Sequence, residues 1–176
     1  MVVDHQKYDV KIIRPQMQDE NFKLRREPMS AARRRAIVKA LRTFHNLEMM
    51  ALTIYRFQIT SEESELNRQL IAAMCNEMTH YQDFTVKLYE YGARPSLLRA
   101  GYWIVGFCFG FGSRLLGKSS MLRTGVWVET KAVHHYAQLL EEVEWDDDTR
   151  CMIEKDQTDE DGHVNRWSGL LKTGEY

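Results

Sequence analysis

Two long stretches of this chain carry apolar residues at intervals of three and four, the period of one face of an α-helix. The first seam reads Ile37, Leu41, Phe44, Glu48, Ala51, Tyr55. It predicts a helix from Ser30, a good N-cap after Pro28, to about Ile59. The second reads Leu66, Leu70, Ala73, Glu77, His80, Phe84, Leu88, Tyr91. Thr60–Glu63 has the form of a capping box that would open this helix, and Gly92 with Pro95 closes it. A third seam, Leu122, Gly125, Glu129, Ala132, Tyr136, Leu139, Val143, predicts a helix ending near Glu144, after a turn at Gly117 and Ser119–Ser120. The fourth, Ile153, Asp156, Glu160, His163, Trp167, Leu170, follows Asp146–Asp148, whose negative charge suits a helix N-terminus. With prolines only at 15, 28 and 95, nothing breaks either stretch.

Gly101–Ser113, GYWIVGFCFGFGS, has another texture, uncharged throughout and bracketed by Arg99 and Arg114. As a helix it would be roughly 20 Å long, short of the ~30 Å hydrocarbon layer. It is expected to lie in a membrane interface, helped by Tyr102 and Trp103, or to line an apolar channel; a buried core helix is the plainer reading.

The seams carry polar groups where leucine would be expected. Glu77 and His80 form a Glu-x-x-His pair, as do Glu160 and His163, and residues three apart share one helix face. Glu48 precedes Glu77 by 29 residues and Glu129 precedes Glu160 by 31; Tyr55 and Tyr136 each stand seven after the lone glutamate of their half. The pattern is an internal repeat of a helical hairpin. Burying a carboxylate alone costs several kcal/mol, so these groups need partners. Glu48, Glu77, His80, Glu129, Glu160 and His163 match the ligand set of carboxylate-bridged dinuclear metal sites in four-helix bundles. Four carboxylates neutralise two divalent ions, and oxygen ligands with one imidazole per metal suit iron, or manganese, better than zinc. Glu77 and Glu160 read as bridges, and Glu48 and Glu129 as terminal ligands. His45 reads as a packing residue or a support for a ligand, Asp156 or Asp159 as a partner orienting a ligand histidine, with solvated charge the other reading of Asp159, and Trp167 as core.

Composition adds bounds. The chain has 176 residues and divides into a polar lead-in over 1–28 and one domain over 29–176. A net charge of −1 gives no reason to expect nucleic acid. Cys75, Cys108 and Cys151 are scattered and read as reduced core thiols. Arg33, Arg34, Arg35, Lys39 and Arg42 read as a solvated basic face, with attraction to anionic lipid as the other reading. No secretory signal is evident.

Several segments together resemble the demethoxyubiquinone hydroxylases of ubiquinone biosynthesis: Glu48 with IYRFQ after it, NEMTHYQDF, ARPSLLRAGYWIVGFCFGFGSRLLGK, WVETKAVHHYAQL and DEDGH. The likeness covers roughly Leu41 to His163 and implies an all-α, ferritin-like four-helix bundle with an additional apolar segment between helices 2 and 3. It implies two iron ions, O2 and the ring of a demethoxyubiquinol as substrate, and an external electron donor. It also implies contact with a membrane surface through 101–113, on the cytoplasmic side or on the matrix side of a mitochondrial inner membrane. By the same resemblance, the family's His-Tyr pair near the metal site maps to His135 and Tyr136, expected to be catalytic on the route by which reducing equivalents arrive, with a packed core tyrosine as the other reading of Tyr136. The chain departs from the family at Glu129-Thr130, where an acidic pair is usual, and around Glu48, where glycine-containing runs are commoner. A ferroxidase or peroxide-handling ferritin relative, and a quinone- or lipid-binding scaffold, are the competing readings; a homo-oligomer is compatible with each.

Overall fold

The computed structural model describes residues 21–25, 29–174 and 176. Five helices and no strand occur among the described residues: α1 Ala31–Gln58, α2 Glu65–Glu90, α3 Arg99–Leu115, α4 Lys118–Glu142 and α5 Asp147–Thr173. In α1 and α2 every seam residue read from the sequence is buried; along α4 and α5 the partly exposed exceptions are Ala132, Leu139 and Leu170. The helices form a bundle in which α1 lies against α2 and α4 against α5. One apolar layer, Phe44, Phe84, Tyr136 and Ile153, fills one end of the interior; another, Tyr55, Ala73, Leu122 and Trp167, fills the other. The polar seam residues lie between these layers.

The caps explain most of the boundaries. Ser30 accepts from the Arg33 amide at 3.1 Å and Asp146 from that of Thr149 at 3.1 Å. Helix α2 begins later than the capping-box pattern predicts. Ser64 is its N-cap, accepting from the Asn67 amide at 3.2 Å, while Asn67 binds back to Thr60 through both ends of its side-chain amide. Thr60–Glu63 is therefore a connector. At the other end Gly92 takes φ +64°, so that its own amide reaches Tyr89 O and the amide of Ala93 reaches Leu88 O, closing the last turn.

Two other expectations are corrected. The basic stretch of α1 is only partly a solvated face. Arg34 donates to Tyr91 O and Gly92 O, Arg33 to Glu144 O and Trp145 O, and Arg42 to Arg94 O, so three cations satisfy carbonyls left open where neighbouring helices end. All three cysteines are exposed rather than core. Cys75 and Cys151 stand two residues before the buried Glu77 and Ile153, about 200° away around the helix. Of the lead-in, residues 1–20 and 26–28 lie outside the described residues. Within 21–25, Arg25 sits over the Tyr91 ring and pairs with Glu90, Asp146 and Asp148, fastening this segment to the end of the bundle.

Helix α3 packs on the outside of α1. Only Gly106, Gly110 and Ser113 of α3 are buried, whereas Trp103, Ile104, Val105, Phe109 and Phe111 are each at least 41 % exposed. The buried-core reading fails, and an apolar face is left uncovered. Close approach depends on the glycines: a Cβ at Gly106 would lie 2.7 Å from Met50 O, and one at Gly110 2.5 Å from Ile54 O. Both obstacles are backbone and cannot rotate away. Gly110→Ala is expected to cost about 1–3 kcal/mol through this overpacking, read as a lowered urea midpoint; an unchanged midpoint would mean α3 does not sit against α1. No helix among the described residues is long and apolar enough to cross a membrane.

Candidate metal centre

Helix α1 contributes Glu48, α2 Glu77 and His80, α4 Glu129, and α5 Glu160 and His163; each is at most 3 % exposed. Their seam positions explain the convergence, because residues facing the axis of four packed helices at one level must meet. The ligand-capable atoms fall into two groups, each lying within 4.8 Å: Glu48, Glu77, His80 and Glu160, and Glu77, Glu129, Glu160 and His163. Glu77 and Glu160 belong to both. His80 Nδ1 lies 3.1 Å from Glu160 Oε1 and 3.7 Å from Glu48 Oε2. His163 Nδ1 lies 3.1 Å from Glu77 Oε1, 3.6 Å from Glu160 Oε2 and 3.7 Å from Glu129 Oε1. The structure thus brings together all six residues singled out from the sequence, two shared and two on either side.

Their hydrogen bonding is incomplete in a way that suits cations. Both oxygens of Glu77, one each of Glu129 and Glu160, and Nδ1 of His163 are buried without a hydrogen-bond partner. Such groups cost roughly 1–3 kcal/mol each, more when charged. Here they all face one volume, which two divalent cations would satisfy together. Without cations, burial is the largest influence on Glu77, pushing it well above the ordinary range, and the charges of Glu160 and Glu129 add to it. Burial, then the charge of Glu129, lifts Glu160 to about 8. Burial alone would lower the histidines, yet Glu129, Glu160 and Glu77 hold His163 up to about 12, and Glu160 and Glu48 likewise raise His80. The residues fit a dinuclear metal site.

The tyrosines cross between the halves. Tyr136 of α4 donates to Glu48 Oε1 at 2.6 Å, and Tyr55 of α1 donates to Glu129 Oε1, with Trp167 Nε1 donating to Tyr55 OH at 2.9 Å. Each tyrosine therefore orients the lone glutamate of the opposite hairpin, not the one seven residues before it. Trp167 is core as read, but its indole N–H has a task that apolar periodicity could not disclose. His135 is exposed, its Nδ1 hydrogen-bonded with Lys131 O at 2.8 Å. Behind His80, Nε2 meets Asp159 Oδ2 at 3.1 Å and lies 3.8 Å from Asp156 Oδ1. Asp159 is thus the aspartate that orients this imidazole. Asp156 is fully buried, and desolvation raises it to about 7. His45 packs on Tyr81 and pairs with Thr85, apart from the cluster.

One feature had no signal in the sequence. A cavity of about 230 Å3 opens onto Glu48, Glu77, Glu129 and Glu160, walled by Leu47, Met50, Trp127 and Ala132, with His135 also lining it. These apolar residues flank the glutamates on α1 and α4, and all but the seam residue Ala132 look in sequence like ordinary helix surface. Trp127 also stacks on Phe109 of α3, ring centroids 5.4 Å apart, so the cavity wall is continuous with the exposed apolar face. No residue of α3 lines the cavity itself.

The family model of the ubiquinone biosynthesis protein COQ7 matches residues 35–167. A Cupriavidus necator protein named 3-demethoxyubiquinol 3-hydroxylase is 30% identical over 141 residues, 79% of this chain and 68% of the relative. A Dictyostelium discoideum protein named NADPH-dependent 3-demethoxyubiquinone 3-hydroxylase, mitochondrial, is 30% identical over 112 residues, 63% of this chain and 52% of the relative. A Bos taurus protein with that same name is 31% identical over 108 residues, 58% of this chain and 48% of the relative.

Proposed function

This chain belongs to the COQ7 family of ubiquinone biosynthesis proteins, and we propose that it is a diiron monooxygenase hydroxylating the ring of a demethoxyubiquinol-type quinol with O2. The observation that carries this reading is the buried cluster of four carboxylates, incompletely hydrogen-bonded, opening into an apolar cavity. A storage-type ferritin relative has no need of such a cavity beside its metals. The bundle is read as ferritin-like, with α3 added on its outside. Glu48, Glu77, Glu129, Glu160, His80 and His163 would hold two iron ions, with manganese the alternative of similar ligand preference. Iron bound there supplies the reductive activation of O2 that no side chain can perform.

The protein's own part follows from its side chains. Leu47, Met50, Trp127 and Ala132 take the quinol ring and keep water from the carboxylates. Tyr55 and Tyr136 hold Glu129 and Glu48 in orientation, so both act through the ligands they touch. His135 lines the cavity, where an imidazole can hold a quinol hydroxyl. Tyr136→Phe keeps the ring and releases Glu48. It is expected to lower quinol-dependent kcat by about tenfold or more with KM and metal content unchanged. Unchanged turnover would reduce Tyr136 to a packing residue.

Reducing equivalents come from an external donor, a role for which NADPH is a candidate because two relatives are named as dependent on it. An apolar quinol is available at a membrane surface. We read α3 as the contact, on the cytoplasmic face of a bacterial membrane or the matrix face of a mitochondrial one. Ile104 and Phe111 are 56 % and 41 % exposed, so Ile104→Asp with Phe111→Asp should leave fold and metal content intact. The pair should reduce liposome association by about tenfold; undiminished association would remove α3 from the contact.

The deciding experiment loads the protein anaerobically with Fe(II), adds a short-tailed demethoxyubiquinol analogue with a reductant, and admits O2. O2 uptake coupled to a hydroxylated ring product is expected. Oxidation of free Fe(II) to a mineral with the quinol untouched would replace this reading with a ferroxidase.

A further inference from the structure

We propose that the open groove between the first half of α1 and the α2–α3 turn is a phosphate-binding site, taking a phosphate ester whose organic part is apolar or aromatic. The groove, about 770 Å3, is lined by Arg34, Arg35, Lys39 and Arg42 and by no carboxylate. Among the described residues none of these four cations is ion-paired. The chain as a whole has a net charge of −1, so this concentration of positive charge is local.

Helix energetics argue against placing cations here without a counter-charge. The first turn of α1 holds no acidic residue, and Arg33, Arg34 and Arg35 all stand at its positive end. Arg33, Arg34 and Arg42 are accounted for by the carbonyls they bind. Arg35 and Lys39 are exposed, form no side-chain hydrogen bond among the described residues, and repel one another as like charges at i and i+4. A bound phosphate turns both liabilities into attraction. The carbonyls ending α2 would repel an anion, but Tyr91 O and Gly92 O are already covered by the Arg34 guanidinium.

The floor of the groove supplies the second observation. Asn46 is 5 % exposed and lines the groove, and its side-chain NH2 donates no hydrogen bond among the described residues. Such an amide can offer its NH2 to a phosphate oxygen and its carbonyl to a hydroxyl. Leu98 and Tyr102 form the opposite wall, where the organic part of the ester would lie. A phospholipid headgroup and a dissolved phosphate ester present the same chemistry. The site stands independently of the hydroxylase reading.

The test uses the full iron-loaded chain in two arms: sedimentation with phosphatidylcholine vesicles with and without phosphatidylglycerol, and calorimetric titration with pyrophosphate and with NADPH. The variant is Arg35→Glu with Lys39→Glu, whose side chains support nothing else in the fold; iron content and melting temperature verify that. A control, Arg123→Glu with Lys172→Glu, makes the same charge change at the other end of the bundle. Wild-type binding that the groove variant weakens by roughly tenfold or more, and the control does not, is expected. Loss in the vesicle arm identifies the headgroup, and loss in the titration arm the dissolved ester. The site is overturned if the wild type binds in neither arm, if the groove variant binds as the wild type does, or if the control loses as much.

Discussion

Glu160→Ala is expected to remove both metal ions and not one, leaving less than about a tenth of the wild-type iron after gel filtration. Glu160 belongs to both ligand groups, its Oε1 toward His80 and its Oε2 toward His163. Without it each ion loses a hard oxygen ligand, and two dications face three carboxylates in a buried volume. Glu77→Ala should behave alike for the same reason. Glu48→Ala and His163→Ala remove a residue belonging to one group each, so about one ion per chain should survive. The metal-free proteins should show the opposite trend in stability. Both oxygens of Glu77 lack partners, and burial makes its charged form costly. Glu77→Leu should therefore stabilise the metal-free fold by about 1–4 kcal/mol while abolishing metal binding. A Glu160→Ala protein that keeps two ions, or a Glu77→Leu protein less stable than the metal-free parent, would refute the shared-ligand arrangement.

The six candidate ligands were legible because burial and polarity conflict at their positions. A glutamate between Phe44 and Tyr55 on an otherwise apolar seam calls for an explanation, and the repeat at Glu129 and Tyr136 gives it a geometric form. The connections across the bundle were not legible. The register of α1 against α4 decides that Tyr136 meets Glu48 and Tyr55 meets Glu129, and a periodicity within one helix holds no information about that register. The cavity wall was hidden for a related reason. Leu47, Met50 and Trp127 sit off the seam and become a site only when two helices leave space between them. The start of α2 was missed because Ser64 and Thr60 are both good caps. Asn67, which ties Thr60 into the connector, decides between them. The cysteines were misplaced by composition: a small apolar thiol is usually buried, but helical phase puts these three outside.

The metal-free protein is expected to lose stability as pH rises from 6.5 to 8, by on the order of 2 kcal/mol, whereas the metal-loaded protein should gain. Glu160 titrates near 4.5 when unfolded and about 8 when folded, because burial, then the charge of Glu129, favours its protonated form. Asp156 moves from 3.8 to about 7 by burial. His163 moves from 6.5 to about 12: burial opposes the change, and the carboxylates of Glu129, Glu160 and Glu77 outweigh it. Each binds its proton more tightly in the folded chain, so each contributes stability that is complete below its unfolded value and is lost as pH rises toward its folded one. His45 has the opposite sign. Burial, then the nearby Arg99 charge, lowers it from 6.5 to about 4, so its contribution is lost as pH falls through that range. Below pH 6.5 the two tendencies oppose each other strongly; between 6.5 and 8 His45 adds only the small remainder of its contribution, and the cluster's losses outweigh it. Metal reverses the sign because it binds the deprotonated ligands, so raising the pH removes the protons that compete with it. Urea midpoints of both forms at the two pH values measure this directly. A metal-free midpoint that stays level or rises over that interval would mean that the carboxylates are not held protonated, and that the charge of the empty cluster is balanced in some other way.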